Sequence, residues 1–122
     1  MKICILGAGG WGTALAILLH NNKNNVTLWE YDKIYSHTLN EQRENFYFLP
    51  KIKIPLRINI TNDINEAVKD KELIIISTPT QFIRGVIERI SDISFTNKII
   101  LSVSKGIRSE ERRVGKECRS RW

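Results

Sequence analysis

The sequence has little of the material that marks a secreted, metal-binding or membrane-spanning protein. Its two cysteines, Cys4 and Cys118, are too few for a disulfide framework and lack metal-ligand spacing. No apolar run approaches the ~18 residues that a transmembrane helix needs. The start, MKICILGAGG, has glycines where the apolar region of a signal peptide would continue. We therefore expect a cytoplasmic protein with no membrane partner.

Length and composition are those of one ordinary globular domain. Of the 122 residues, 42% are hydrophobic and 26% are charged, which excludes a disordered or collagen-like chain. The net charge of +6 divides evenly, because residues 108–122 carry six Lys or Arg against three Glu and residues 1–107 carry 13 basic against 10 acidic residues. This mild balance in the main part of the chain predicts no nucleic-acid partner.

The last fifteen residues differ from the rest in composition. Residues 1–107 contain four Arg and nineteen Ile, whereas residues 108–122 contain five Arg and no Ile. The segment RSEERRVGKECRSRW resembles a common short-read sequencing adapter translated in frame, residue for residue. We interpret 108–122 as a non-native tail, with a basic C-terminal arm as the alternative, and exclude it from fold reasoning. We expect the source gene to continue past the codon for Ile107 with different residues.

Residues 1–107 alternate between predicted strands and predicted helices. Asp32 is expected to cap the second helix, and Asn62 or Asp63 the third. Residues 45–57 hold two prolines and no helical period, and are expected to form an extended loop. The order βαβαβαβαβ predicts an α/β fold with a Rossmann-like, doubly wound parallel sheet. We expect strands at residues 2–6, 26–30, 58–61, 73–77 and 98–103, and helices at residues 11–21, 32–43, 62–69 and 80–90.

A glycine-rich segment lies where such a sheet binds phosphates. Residues 7–12, GAGGWG, fit the pattern G-x-G-x-x-G directly after a predicted strand and at the start of a predicted helix. Gly7 permits the tight turn, Gly9 lets the backbone approach a pyrophosphate, and Gly12 lets the helix pack close to the strand. The N–H groups of the helix start then face the phosphates. The segment predicts dinucleotide binding, with a ligand-free glycine turn as the alternative.

Glu30 ends the second predicted strand, 18 residues after Gly12, where a carboxylate that binds the adenosine ribose is expected. A carboxylate accepts hydrogen bonds from the ribose hydroxyls and repels a 2′-phosphate, so Glu30 favours NAD over NADP. Lys33 partly offsets this repulsion, which keeps NADP as an alternative cofactor. An exposed strand-end glutamate with no ligand is the other interpretation.

Five segments together resemble the N-terminal domain of bacterial NAD(P)-dependent glycerol-3-phosphate dehydrogenase. The most specific features are the Trp after the glycines, the loop of the form N-x-x-x-L-P-x-x-x-x-P, and the Lys-Gly after the last strand. The resemblance covers residues 1–107. Its segments are GAGGWGTALA, LWEYD, NFYFLPKIKIP, STPTQFIRGVI and SVSKGI.

The resemblance implies a reaction and a set of binding residues. The reaction is the reduction of dihydroxyacetone phosphate to sn-glycerol 3-phosphate with NAD(P)H, which feeds phospholipid synthesis, in a homodimeric parent enzyme. An ammonium group after a central strand can bond an oxyanion or a phosphate, so Lys105 is implied to touch both cofactor and substrate. The other cofactor-binding residues implied are Gly10 and Trp11 at the phosphates, Glu30 and Tyr31 at the adenosine ribose, and Pro79 and Phe82 across the cleft.

The family's main proton-transferring Lys and its substrate-phosphate site lie in a helical C-terminal domain. We expect this chain to lack that domain, to be a truncated sheet with no catalytic residue of its own, and to be inactive and marginally stable alone. Two alternatives remain. One is another two-domain dehydrogenase, such as a relative of 6-phosphogluconate dehydrogenase, and the other is a non-enzymatic dinucleotide-binding module.

The chain departs from the family's pattern at two places. The loop reads Phe-Leu-Pro-Lys at residues 48–51 where Tyr-Leu-Pro-Gly is usual, which puts the detailed contacts of that loop in doubt. Neither Glu30 nor Tyr31 is basic, although family members often carry Arg there, and this again favours NAD.

Overall fold

Strands and helices alternate along the chain in the computed structural model, which describes residues 1–78, 82–89 and 98–103. Within these ranges no helix is long and apolar enough to cross a membrane. The strands are β1 Lys2–Leu6, β2 Asn25–Trp29, β3 Glu44–Asn45, β4 Leu49–Lys53, β5 Asn59–Thr61, β6 Leu73–Ile76 and β7 Ile99–Ser102. The helices are α1 Gly10–Asn21, α2 Lys33–Gln42, α3 Ile64–Val68 and α4 Ile83–Arg89.

Five of the strands form one parallel sheet in the order β5-β2-β1-β6-β7, which confirms the predicted Rossmann-like architecture. β1 is the central strand, and its residue Leu6 is in register with Trp29 of β2 and Ile76 of β6. The chain moves to one side of β1 through β2 and β5, and to the other side through β6 and β7. The loops after β1, β2 and β6 therefore meet at the switch point, where ligands bind in such sheets.

Both faces of this sheet are covered by apolar side chains. Along β1, Ile3 and Ile5 belong to one buried cluster, whereas Cys4 and Leu6 belong to the other. This alternation follows from the strand geometry, in which successive side chains point to opposite faces. The fully apolar run LIII of β6 fits a strand that is covered on both sides. Burial also raises the pKa of the Cys4 thiol to about 12, which leaves it an inert core residue.

The predicted extended loop at residues 45–57 is wrong in part, because β3 and β4 form an antiparallel hairpin. Asn45 pairs with Leu49, and Glu44 pairs with Lys53. Pro50 is tolerated within β4, because a two-stranded sheet leaves one edge of each strand unpaired. Most of β4 is exposed, so no hydrophobic alternation marks it in the sequence.

Aspartate side chains cap the starts of α2 and α3, as the sequence predicted. The Asp32 carboxylate accepts hydrogen bonds from the first-turn N–H groups of α2, and Asp63 does the same for α3. Arg43 follows α2 in a left-handed conformation and donates to the carbonyl oxygens of Pro55 (3.1 Å) and Ile58 (2.6 Å). These bonds fix the segment that leads into β5.

Candidate functional site

Gly7 makes the turn that leaves β1. Its φ of 125° is a conformation that side-chain-bearing residues rarely adopt. Its N–H donates to the carbonyl oxygen of Trp29 at 2.9 Å, which ties the loop to the end of β2. A Cβ atom at this position would lie 3.0 Å from the backbone of Ser77 and of Thr78. The turn therefore needs glycine for both its conformation and its close neighbours.

Gly12 and Gly9 differ in what surrounds them. A Cβ atom at Gly12 would lie 2.0 Å from the carbonyl oxygen of Gly7, so α1 packs directly against the turn. Among the residues that the structure describes, none other than the chain neighbours of Gly9 would lie within 4 Å of a Cβ atom at this position. Gly9 is the N-cap of α1, and the first-turn N–H groups of a helix lack intrahelical partners and favour anions. The loop thus leaves open space in front of a helix start.

Glycine is required at position 10 for a structural reason that the sequence did not reveal. A Cβ atom there would lie 2.6 Å from the carbonyl oxygen of Phe48, because the hairpin tip crosses the start of α1. Trp11, the next residue, has 60% of its surface exposed beside this crossing. The resemblance assigned both residues to cofactor phosphates, and their position at the start of α1 is compatible with that role.

Asn45, which sequence reasoning did not select as a site residue, holds the glycine loop from behind. It is fully buried, and its amide nitrogen donates to the carbonyl oxygen of Ala8 at 2.6 Å and to the Thr13 hydroxyl at 2.7 Å. Its amide oxygen accepts from the Tyr35 hydroxyl. One buried amide therefore connects the hairpin, the glycine loop, α1 and α2. The Asn that opens the N-x-x-x-L-P pattern was the available signal.

Glu30 directly follows β2 and lies next to the glycine loop. Its carboxylate accepts a hydrogen bond from the Asp32 N–H at 2.9 Å, and the Ala8 N–H also bonds to it. Burial raises the pKa of Glu30, and the two N–H groups oppose this rise without cancelling it. The carboxylate is half-buried at the end of β2, within reach of a ligand on the loop.

Tyr31 is exposed and held between an aromatic ring and a cation. Its ring meets the edge of Trp29 at a centroid distance of 6.2 Å, and the guanidinium carbon of Arg89 lies 4.7 Å from its centroid. The Asn62 amide donates to the carbonyl oxygens of Glu30 (2.8 Å) and Tyr31 (2.7 Å). Arg89 was missed, because nothing near it in the sequence points to β2.

The end of β6 also touches the glycine loop. The Ser77 hydroxyl donates to the carbonyl oxygen of Gly7, and the Thr78 hydroxyl to that of Leu6, both at 2.9 Å. Phe82 is exposed a few residues further along. Pro79 and Lys105 lie outside the described residues, as do residues 108–122.

The comparisons with known proteins agree with this geometry. The sequence model described as "NAD-dependent glycerol-3-phosphate dehydrogenase N-terminus" matches residues 2–119. A glycerol-3-phosphate dehydrogenase [NAD(P)+] of Fusobacterium nucleatum is 41% identical over 110 residues, which cover 90% of this chain and 33% of the relative. The enzyme of the same name from Bacillus subtilis is 41% identical over 106 residues, which cover 87% of this chain and 31% of the relative.

Solved structures give the same result. Glycerol-3-phosphate dehydrogenase from Coxiella burnetii superimposes with a TM-score of 0.81 at 27% identity, covering 95% of this chain and 37% of that chain. Glycerol-3-phosphate dehydrogenase from Plasmodium falciparum gives a TM-score of 0.78 at 27% identity, covering 87% of this chain and 32% of that chain. The chain spans about a third of the length of the curated relatives that it matches.

Substitution of the two glycines separates ligand binding from folding. Gly12→Ala is expected to abolish the folded state, because its methyl group overlaps the Gly7 carbonyl oxygen. Gly9→Ala is expected to change the free energy of unfolding by at most about 1 kcal/mol. It should nevertheless weaken NADH binding by about tenfold or more, because the methyl group fills the open space before α1. Urea unfolding and quenching of Trp fluorescence by NADH measure the two effects. Equal losses of stability in both variants would contradict this interpretation.

The buried Asn45 amide predicts a second pair of variants. Asn45→Asp replaces the donor that faces the Ala8 carbonyl oxygen with an acceptor, and is expected to lower the free energy of unfolding by about 3 kcal/mol. Tyr35→Phe removes one hydrogen bond at a half-buried position, and is expected to cost about 1 kcal/mol. Urea unfolding checks both values. A smaller loss for Asn45→Asp than for Tyr35→Phe would show that the network does not hold the loop.

Glu30 predicts a dependence of stability on pH. Because burial raises its pKa in the folded chain, the folded chain holds this proton to higher pH than the unfolded chain does. The contribution of Glu30 to the free energy of unfolding is fully present below the unfolded-state pKa of about 4.3. It is lost as pH rises through the folded-state pKa. Glu30→Gln is therefore expected to be more stable than wild type at about pH 7, with the gain absent at about pH 4. Urea unfolding at both pH values tests this, with Glu41→Gln at an exposed position of α2 as the control that brings no gain at neutral pH.

Proposed function

Because the chain belongs to the family described as NAD-dependent glycerol-3-phosphate dehydrogenase N-terminus, we propose that it is the cofactor-binding part of such an enzyme. The enzyme would reduce dihydroxyacetone phosphate to sn-glycerol 3-phosphate. The observation that carries the proposal is the glycine loop, which opens in front of α1 and has a carboxylate at the neighbouring strand end.

The residues present fit a dinucleotide. The space at Gly9, where a Cβ atom would touch none of the described residues outside the loop, admits a pyrophosphate close to the backbone. The N–H groups at the start of α1 are suited to bind it. The Glu30 carboxylate is positioned to accept hydrogen bonds from the adenosine ribose. When bound, the dinucleotide supplies the hydride for the reduction. The work of this chain is to bind the cofactor and to hold it in one orientation.

The negative charge expected beside the adenosine ribose favours NAD. The Glu30 carboxylate accepts a hydrogen bond from the Ala8 N–H of the glycine loop, and it would repel a 2′-phosphate. NADP stays the alternative cofactor, and the names of the matching relatives print NAD(P)+. Which of NAD and NADP binds more tightly to this chain would depend on the charges around Glu30 and Tyr31.

The remaining site residues are proposals that the resemblance implies. Phe82 is exposed beyond β6, and the resemblance implies that it would line the cofactor together with Pro79. Lys105 would touch both the cofactor and the phosphorylated substrate, whereas the main proton-transferring Lys would belong to the helical domain of the longer protein. The homodimeric parent, the cytoplasmic location and the lack of nucleic-acid and membrane partners stay predictions.

We also propose that residues 108–122 are a translated sequencing adapter that follows a partial domain at residues 1–107. The support is the change in composition after Ile107. The family match extends to residue 119, inside this segment, while the curated relatives match over 106 to 110 residues. Sequencing the source DNA across the codon for Ile107 tests the proposal. A frame that reads these same fifteen codons in the genome would overturn it.

The activity is tested with the complete product of the source gene. We expect it to oxidise NADH when dihydroxyacetone phosphate is added and not when the added substrate lacks a reducible carbonyl, such as sn-glycerol 3-phosphate. The 122-residue chain is expected to bind NADH weakly and to give no turnover. The matched control is Gly9→Ala in the complete protein, which should lose both binding and turnover. NADH binding by the complete protein with no turnover on dihydroxyacetone phosphate would favour a binding module or another dehydrogenase.

A further inference from the structure

Arg89 carries a positive charge to the nucleotide end of the candidate site. It is the last residue of α4, and its guanidinium carbon lies 4.7 Å from the ring centroid of Tyr31. Tyr31 directly follows Glu30, the carboxylate that borders the glycine loop. Both Tyr31 and Arg89 are exposed, so a ligand on the loop can reach them.

The contact holds the guanidinium in place without using its donors. A cation is attracted to the face of an aromatic ring. The N–H groups of a guanidinium lie in the guanidinium plane and point away from its edge. Those edge donors match the oxygen atoms of a phosphate in a two-point contact. Tyr31 is itself held by the edge of Trp29 and by the Asn62 amide, which bonds its carbonyl oxygen. The cation is therefore positioned before a ligand arrives.

Glu30 is less repulsive to a phosphate than an exposed carboxylate would be. Its charge is turned toward two backbone N–H groups, those of Asp32 and Ala8. Burial also raises its pKa, which favours the neutral form. Asp32 is engaged as well, because its carboxylate caps α2. The Glu30 and Asp32 carboxylates thus accept hydrogen bonds from backbone N–H groups, whereas the Arg89 guanidinium lies over the Tyr31 ring.

We propose that Arg89, whose guanidinium lies over the Tyr31 ring, is a specificity-determining residue that binds the 2′-phosphate when the dinucleotide is NADP. The inference rests on the proposed function, because it assigns a role within the same cofactor site. The alternative role for the Arg89 guanidinium is to pack against the adenine ring, which would favour both cofactors equally. The experiment below separates these two roles.

The test compares two ligands that differ only in the 2′-phosphate. Binding of ADP-ribose and of 2′-phospho-ADP-ribose to the complete product of the source gene is measured by isothermal titration calorimetry. Arg89→Gln is expected to lower the affinity for 2′-phospho-ADP-ribose by about tenfold, the value of one charge-assisted contact. The affinity for ADP-ribose should change by less than about twofold. Arg84→Gln, which removes an exposed arginine from the same helix, is the matched control and should leave the ratio of the two affinities unchanged.

Two variants of Tyr31 test whether the stack positions the cation. Tyr31→Phe keeps the ring, and is expected to preserve the ratio of the two affinities. Tyr31→Leu removes the ring, and should reproduce the selective loss seen for Arg89→Gln, while circular dichroism checks that the fold is retained. A selective loss for 2′-phospho-ADP-ribose in both Arg89→Gln and Tyr31→Leu supports the inference.

The failures are distinguishable. An equal loss for both ligands in Arg89→Gln would assign Arg89 to the adenine ring, and no loss for either would remove it from the site. In both cases the inference is wrong while the proposed cofactor site stands. If the complete wild-type protein binds neither ligand, the proposed cofactor site is wrong and this inference falls with it.

Discussion

Helix α1 lies so close to the end of β1 that the position of Gly12 admits only a hydrogen atom. An added Cβ atom would overlap the Gly7 carbonyl oxygen, and it would also lie 2.5 Å from the Ser77 hydroxyl oxygen. This approach aims the start of α1 across the carboxyl edge of the parallel sheet. The space beside Gly9 is open because none of the described residues outside the loop lies within 4 Å of where its Cβ atom would be. The geometry of the site thus depends on one contact between a helix and a strand end.

Polar groups keep that contact in one arrangement. The loop carbonyl oxygens of Leu6, Gly7 and Ala8 accept from side chains that come from β6 or from the hairpin. Among the residues that the structure describes, no buried side-chain nitrogen or oxygen atom lacks a hydrogen-bond partner. A fully satisfied buried network specifies a single geometry, because each alternative arrangement leaves a polar group unpaired. The glycine loop has little side-chain packing of its own, so these bonds supply its rigidity.

The nucleotide end of the site combines charges from three parts of the chain. Glu30 comes from the end of β2, Asp32 from the start of α2 and Arg89 from the end of α4. Backbone N–H groups and a helix cap engage the two carboxylates, whereas an aromatic ring holds the guanidinium. In the proposed cofactor site, discrimination between NAD and NADP would therefore be a difference between an attraction and a repulsion, as is general for specificity.

The sequence by itself determined the features that local patterns encode. Apolar runs such as LIII, the spacing of glycines 7, 9 and 12, and the caps at Asp32 and Asp63 predicted the parallel sheet, the turn and the helix starts. These signals are local, because strand burial, backbone conformation and first-turn hydrogen bonds involve residues close together in the chain. The resemblance to a known family rested on the same short segments.

Only the tertiary structure decided the contacts between distant residues. The hairpin of β3 and β4 was missed because an exposed strand with a proline lacks the alternation that marks a half-buried one. The roles of Asn45 and Arg89, and the approach of Phe48 to Gly10, depend on segments that the fold brings together. No local pattern contains such information, because a hydrogen bond or a ring contact is set by distance in space, and periodicity in the sequence reports only which face of an element is buried.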